Sequence, residues 1–185
     1  MIPYSRQWID SDDGDAVAEV LISDWLTQGP KVKEFEIALA KETGAKFVVT
    51  FSSGTAALEA AYFAVGIQKG DEIITSPLTF SATANAALWA GAKIVFADIE
   101  KETGNLDPNE VIGKITAKTK ALVPVDYAGL PARLGTLRKM ARDCGAILIE
   151  DAAHSLGASY RGKHVGNAAD MTMFSFHPVK SITTG

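Results

Sequence analysis

The sequence predicts an α/β fold, a mostly parallel sheet with helices on both faces. Two features carry the prediction. From residue 47 onward short apolar runs alternate with helical stretches, and nearly every apolar run ends in a polar group. Before that alternation come two amphipathic helices. The first spans about Asp12 to Ser23, with Val17, Val20 and Leu21 at helical spacing. The second follows Gly29-Pro30, uses Val32, Phe35, Ala38 and Leu39, and stops at Gly44 as a C-cap. Strands are expected at 47–51, 72–75, 94–97, 121–125, 146–149 and 171–176. Helices are expected at 55–65, 81–89, 108–115 and 134–144. Asp107-Pro108-Asn109-Glu110 is a complete helix start, with a cap, proline at the first position and glutamate at the third.

Composition narrows the function classes. The chain has 185 residues and a formal net charge of -4, with no Lys/Arg-rich stripe, which argues against nucleic acid as the main partner. One cysteine, Cys144, gives no disulfide framework and makes a reducing cytoplasm the default location. The opening residues lack the apolar core of a signal peptide. The most apolar stretch, Ala82 to Ala97, is interrupted by Asn85 and Lys93 and is too short for a bilayer. A soluble cytoplasmic protein is expected.

Ligands of parallel sheets gather at the carboxyl ends of the strands. Those ends read Ser52-Ser53-Gly54-Thr55, Ser76-Pro77, Asp98, Asp126-Tyr127, Asp151 and Ser175. Asp151 follows one strand and Lys180 lies just beyond another. A lysine amine that can form a Schiff base, and a carboxylate that can keep a pyridine nitrogen protonated, are the two groups a pyridoxal phosphate site requires. Taken singly they are bland: lysines are usually solvated, and an aspartate after a strand is usually a turn or cap residue.

The remaining candidates carry the same two readings. Ser53-Gly54-Thr55 opens a helix, where free amides and the helix dipole make a phosphate cradle, but an ordinary N-cap has the same pattern. Neither a Gly-x-Gly-x-x-Gly nor a Gly-Lys-Ser/Thr motif is present there, against a dinucleotide site or a P-loop. Phe80 is a stacking platform for a ring or a core side chain. His154 either orients Asp151, contacts a cofactor, or is a structural histidine. His164 and His177 show no ligand spacing with each other or with Cys144, so no metal site is expected. Met171 and Met173 read as core.

Four segments in order, Trp25-Leu26-Thr27-Gln28-Gly29-Pro30, Ser53-Gly54-Thr55-Ala56-Ala57-Leu58, Glu150-Asp151-Ala152-Ala153-His154 and Ser175-Phe176-His177-Pro178-Val179-Lys180, resemble the sugar-nucleotide aminotransferases of the DegT/StrS type. The resemblance covers essentially the whole chain. It implies the type I (aspartate aminotransferase) fold, a homodimer with active sites at the subunit interface, and pyridoxal 5′-phosphate as cofactor. By motif, Lys180 would be the Schiff-base lysine and Asp151 the partner of the pyridine nitrogen. Phe80 would stack on the ring, His154 would lie beside it, and Ser53, Gly54, Thr55 and Ser175 would hold the phosphate.

Within the family, Ile2-Pro3-Tyr4-Ser5-Arg6-Gln7 and Leu26-Thr27-Gln28-Gly29 most resemble the branch that serves pseudaminic acid synthesis. That implies amino transfer from L-glutamate to carbon 4 of a UDP-linked 4-keto-6-deoxy-N-acetylhexosamine. Tyr4, Asp24, Trp25, Leu26 and Thr27 would line the substrate side. Val125-Asp126-Tyr127-Ala128-Gly129 fits this branch, although 4-aminotransferases for other sugars carry similar runs. Family members continue through a glycine-rich turn and a smaller C-terminal domain, whereas this sequence ends at Gly185. The expectation is therefore a fragment: residues 1–30 as N-terminal segment and helix, and residues 31–185 as an incomplete cofactor-binding large domain, inactive alone. The alternatives are a 4-aminotransferase for a different keto sugar nucleotide and a catalytically incompetent cofactor-binding module.

Overall fold

The computed structural model describes residues 6–184. Its first helix, α1 (Ser11–Leu21), is shifted slightly from the expected span. Asp10 caps it, accepting from the amides of Asp12 and Asp13, while Asp13 returns a bond to the Asp10 amide. None of its side chains is buried. Helix α2 (Pro30–Thr43) ends at Gly44 in the left-handed conformation, as the glycine predicts.

The central sheet is five-stranded and parallel throughout, in the order β2-β1-β3-β4-β7. Its strands are β1 (Glu72–Thr75), β2 (Lys93–Phe96), β3 (Thr119–Val123), β4 (Ile147–Asp151) and β7 (Met171–Met173). Helices α3 (Gly54–Ala64) and α4 (Ser81–Trp89) pack on one face through Leu58, Tyr62, Ala86 and Ala87 against Ile73, Val123 and Ile149. On the other face lie α5 (Pro108–Ile112) and α6 (Leu134–Cys144). There Val111, Leu134, Leu137 and Ala141 meet Ile74, Leu122 and Leu148. The alternation Leu148/Ile149 thus sends successive side chains into two different cores, the pattern of a strand covered on both faces. Met173 is buried in the first core and Met171 packs against it, as expected.

Chain order runs β1 to β2 outward, then back across β1 to β3. That reversal is a topological switch point, where the crevice at the strand ends opens.

Three expectations are corrected. Residues 47–51 form no strand: Phe47, Val49 and Phe51 are exposed, and no described strand pairs with them. A strand is stabilised by its ladder, and alternating apolar residues alone do not supply one. Residue Thr50 is nonetheless held, its amide and hydroxyl both donating to Glu36 Oε1. The last strand stops at Met173 rather than residue 176, and its continuation toward Lys180 is irregular. Strand β4 extends to Asp151, so the acidic residues sit within the strand tip. A short hairpin, β5 (Ser159–Tyr160) with β6 (Lys163–His164), was not foreseen. Arg161 and Gly162 turn it, both at positive φ.

Candidate active site

The carboxyl ends of β1, β3, β4 and β7 lead into Ser76–Thr83, Asp126, Asp151 and Ser175–Lys180. Asp151 is the centre of this rim and is 3 % exposed. Parallel register with β7 sets it opposite Met173, and a bridge sets it beside Val125. Its Oδ2 accepts from the Thr83 hydroxyl at 2.7 Å, and its Oδ1 from the Ala153 amide at 3.2 Å. Burial raises the Asp151 carboxyl above its ordinary range. The two hydrogen bonds and the positive charges of His154 and Lys180 pull the other way.

Lys180 is half-buried, and its amide donates to the His177 carbonyl. Burial lowers its ammonium below the ordinary lysine range, and the charge of Asp151 opposes that drop. Burial, and then the charge of Lys180, also lowers His154, while Asp151 raises it. The three groups that the motifs put in one site therefore feel one another's charge. An aspartate, a histidine and a lysine with a depressed pKa form an amine-presenting centre with a buried carboxyl behind it.

Ser53 caps α3, its Oγ accepting from the Ala56 amide at 3.1 Å. A helix start leaves its first amides without intrahelical partners, so those of Gly54 and Thr55 remain for an external acceptor. The cap reading and the cradle reading of this turn are thus compatible. Ser175 is brought against it: a Cβ added to Gly54 would lie 3.1 Å from Met173 Sδ and 3.5 Å from Ser175 Cβ. Glycine is what lets the helix start approach the end of β7 so closely.

Phe80 is 75 % exposed at the N-cap of α4, which rules out the core reading for this ring. Asp24, Trp25, Leu26 and Thr27 are also exposed, and local hydrogen bonds in their turn link Ser23 to Val20 and Trp25. Tyr4 lies outside the described residues. An open depression of about 340 Å³ at the end of β2, lined by Pro77, Phe96, Ala97, Asp98, Glu110 and Lys114, shares no residue with the Asp151 centre.

Thr83 was not anticipated, and Asp126 was foreseen only as a strand-end residue. Thr83 is fully buried and supplies the strongest contact to Asp151. With its proton committed there, it accepts from the Thr79 hydroxyl at 2.7 Å. Its sequence signal is a threonine in the alanine-rich run Ser81–Trp89, one turn after Phe80. Asp126 is fully buried as well, accepting from Ser155 Oγ at 2.6 Å and the Ala132 amide at 2.9 Å.

Comparison with known proteins places this rim in context. The chain is 46% identical over 187 residues to the UDP-4-amino-4,6-dideoxy-N-acetyl-beta-L-altrosamine transaminase of Campylobacter jejuni, covering 100% of the chain and 49% of that protein. Its fold matches that of Helicobacter pylori PseC, an aminotransferase involved in pseudaminic acid biosynthesis, with a TM-score of 0.93 at 40% identity, over 98% of this chain and 49% of that one. It also matches the putative sugar aminotransferase Spr1654 of Streptococcus pneumoniae, solved in PLP and PMP forms. For the PLP form the TM-score is 0.94 at 34% identity, over 98% of this chain and 50% of that one. The chain spans about half the length of these relatives. Residues 7–185 match the profile of the DegT/DnrJ/EryC1/StrS aminotransferase family, and the chain belongs to that family.

Proposed function

We propose that the chain is the cofactor-binding half of a pyridoxal 5′-phosphate-dependent aminotransferase. It transfers the amino group of L-glutamate to carbon 4 of a UDP-linked 4-keto-6-deoxy-N-acetylhexosamine. The observation that carries the reading is the convergence of Asp151, His154 and Lys180, each shifted by the charge of another, beside the α3 start that Ser175 approaches. In this reading residues 31–185 form most of the cofactor domain, residues 1–30 lead into it, and the whole enzyme is a homodimer.

The residues fit the group. A Cβ on Gly54 would sit tightly against Met173 Sδ at 3.1 Å, so glycine keeps the α3 start open beside Ser175, and Asp151 is a buried carboxyl with a hydroxyl fixing one oxygen. When bound, the cofactor supplies an electron sink through its protonated pyridine ring. Asp151 holds that ring proton and is in turn held by Thr83. The amides of Gly54 and Thr55, with the hydroxyls of Ser53 and Ser175, bind phosphate at the positive end of α3. Phe80 presents an exposed ring face to the pyridine, and His154 lies at its side. Lys180 binds the cofactor through Nζ. The same Nζ would serve as general base and then acid for the proton on the amino acid's α-carbon. Burial lowers its ammonium below the ordinary lysine range, which favours the neutral amine such a base requires.

Addition of pyridoxal phosphate, with visible spectra before and after borohydride, tests the site. An absorbance band that borohydride fixes onto Lys180 is expected, and Lys180→Ala loses the label. Labelling against pH should show a midpoint below the ordinary lysine range. Labelling spread over surface lysines would overturn the assignment. The sugar is tested by comparing rates with 4-keto sugar nucleotides that carry and lack the N-acetyl group. Faster turnover of the sugar without it would favour the alternative substrate.

A further inference from the structure

Asp151 is not the only acid at the tip of β4. Glu150, one residue earlier, points to the opposite face and is fully buried, as is Asp126 at the end of β3. The bridge of Val125 with Asp151 and the bond from the Asp126 amide to the Asp151 carbonyl set Asp126 and Glu150 at neighbouring strand ends, and no cation appears among the interactions that shift either carboxyl. Two ionised carboxylates cannot hydrogen-bond each other, so one carries a proton.

The donors around the pair show which one. Asp126 already has a donor at each oxygen, the Ala132 amide on Oδ1 and the Ser155 hydroxyl on Oδ2, an arrangement that stabilises its anion. Glu150 has one donor, Thr172 Oγ1 at 2.8 Å on Oε2. Its Oε1 is buried and receives none. A buried carboxyl oxygen that accepts nothing is the place for a proton. Asp126, Glu150 and Asp151 form no metal-holding group, since none occurs among the described residues.

We propose that Glu150 is a positioning residue held as the neutral acid, its Oε1 hydroxyl donating to Asp126, and that this proton-sharing pair fixes the turn on which His154 rests. The bonds run outward from the pair in three directions. Asp126 accepts from Ser155, immediately after His154, and its amide donates to the Asp151 carbonyl at 3.0 Å. The turn that follows is held in an uncommon shape, with Ala128 at φ 52° and Gly129 at φ 87°. A Cβ on Gly129 would come within 2.9 Å of the His154 carbonyl oxygen, so this turn and the histidine segment are in direct contact. Asn105 closes the far side, accepting from the Tyr127 amide at 2.8 Å and donating to the Leu130 carbonyl at 2.9 Å. Removing the proton from Glu150 puts two anions in contact at the centre of this network.

Burial, and then the charge of Asp126, raises the Glu150 carboxyl to about 9, and the charge of Asp151 adds to it. The third element against it, β7, contributes only the neutral hydroxyl of Thr172. The folded protein thus keeps a proton that the unfolded chain releases in the ordinary glutamate range. The resulting contribution to stability is complete below that range and is lost progressively as pH rises toward about 9.

The inference is independent of the reaction assigned above, and its test reads carboxyl groups rather than turnover. In protein labelled with ¹³C at glutamate side-chain carboxyls, one resonance should keep the shift of a protonated acid at neutral pH. It should disappear in Glu150→Gln. That variant presents an amide donor to Asp126 and an acceptor to Thr172, so it should keep the wild-type His154 resonance and lose the alkaline fall in thermal stability. Glu150→Ala should lower the midpoint and move the His154 resonance. An ionised Glu150 signal at neutral pH overturns the proposal. So does a Glu150→Gln protein whose His154 resonance moves, or whose stability falls with pH as steeply as wild type.

Discussion

Thr83 shows how one side chain sets the chemistry of another. Its hydroxyl gives Asp151 a hydrogen bond at 2.7 Å in a site without water access, where a bond to a charged group is worth most. Thr83→Val keeps the shape and removes the donor. It should cost about 1.5–3 kcal/mol in denaturant unfolding at a pH where Asp151 is ionised, whereas Thr83→Ser costs less. Tyr62 supports the same helix from below, its buried hydroxyl donating to the Thr83 carbonyl at 2.7 Å. Tyr62→Phe should cost about 1 kcal/mol by the same measurement, the worth of one neutral hydrogen bond. Burial, and then the charge of Asp151, pushes the Tyr62 phenol well up, so it stays neutral and a donor over the whole working range. Lys180, Asp151 and His154 could be singled out from sequence because they fall together in ordered motifs at the strand ends. Thr83 could not, because a threonine is ordinary until a specific acid is placed against it.

At the scale of elements, the start of α3 and the tip of β7 act as a unit. The contact that Gly54 permits with Met173 and Ser175 is what carries Ser175 to the cradle. Gly54→Val should therefore weaken binding of inorganic phosphate. It should also destabilise the fold by about 1–3 kcal/mol, the usual range for overpacking, read as a drop in denaturant midpoint. The outer face of β7 is tied differently. Arg138 on α6 bonds the Ala168 carbonyl and Asp170, and Asp170 accepts from the Leu148 amide, so one guanidinium joins α6, β4 and the entry to β7. Helix starts were legible in the sequence because capping is local: Asp107 before Pro108 and Ser53 before Gly54 act within one turn. The expected strand at 47–51 failed for the opposite reason. Its alternation was visible, but a ladder partner is not a property of the segment.

Across the whole molecule two opposing sets of carboxyl groups shape the response to pH. A hydrogen bond from the Thr116 hydroxyl at 2.6 Å lowers Glu72, so its contribution is present above the ordinary range and lost as pH falls through its depressed value. Burial raises Glu150 and Asp151, which removes stability as pH rises. Thermal midpoints should accordingly peak at mildly acidic pH and decline toward alkaline pH, and a profile still rising from pH 7 to 9 would contradict the raised acids. Alternating strands and helices, the polar residues at strand ends and the ordered motifs were enough to determine the α/β class, the family and the rim that carries the candidate site residues. Each depends on neighbours in the chain or on residue type at a fixed offset. The tertiary structure decided which strands pair, that Phe80 is exposed rather than core, that Thr83 grips Asp151, and that Glu150 meets Asp126. Those contacts join residues from 24 to 68 positions apart, and only the packing of the sheet and its two helical layers brings them within reach of a hydrogen bond.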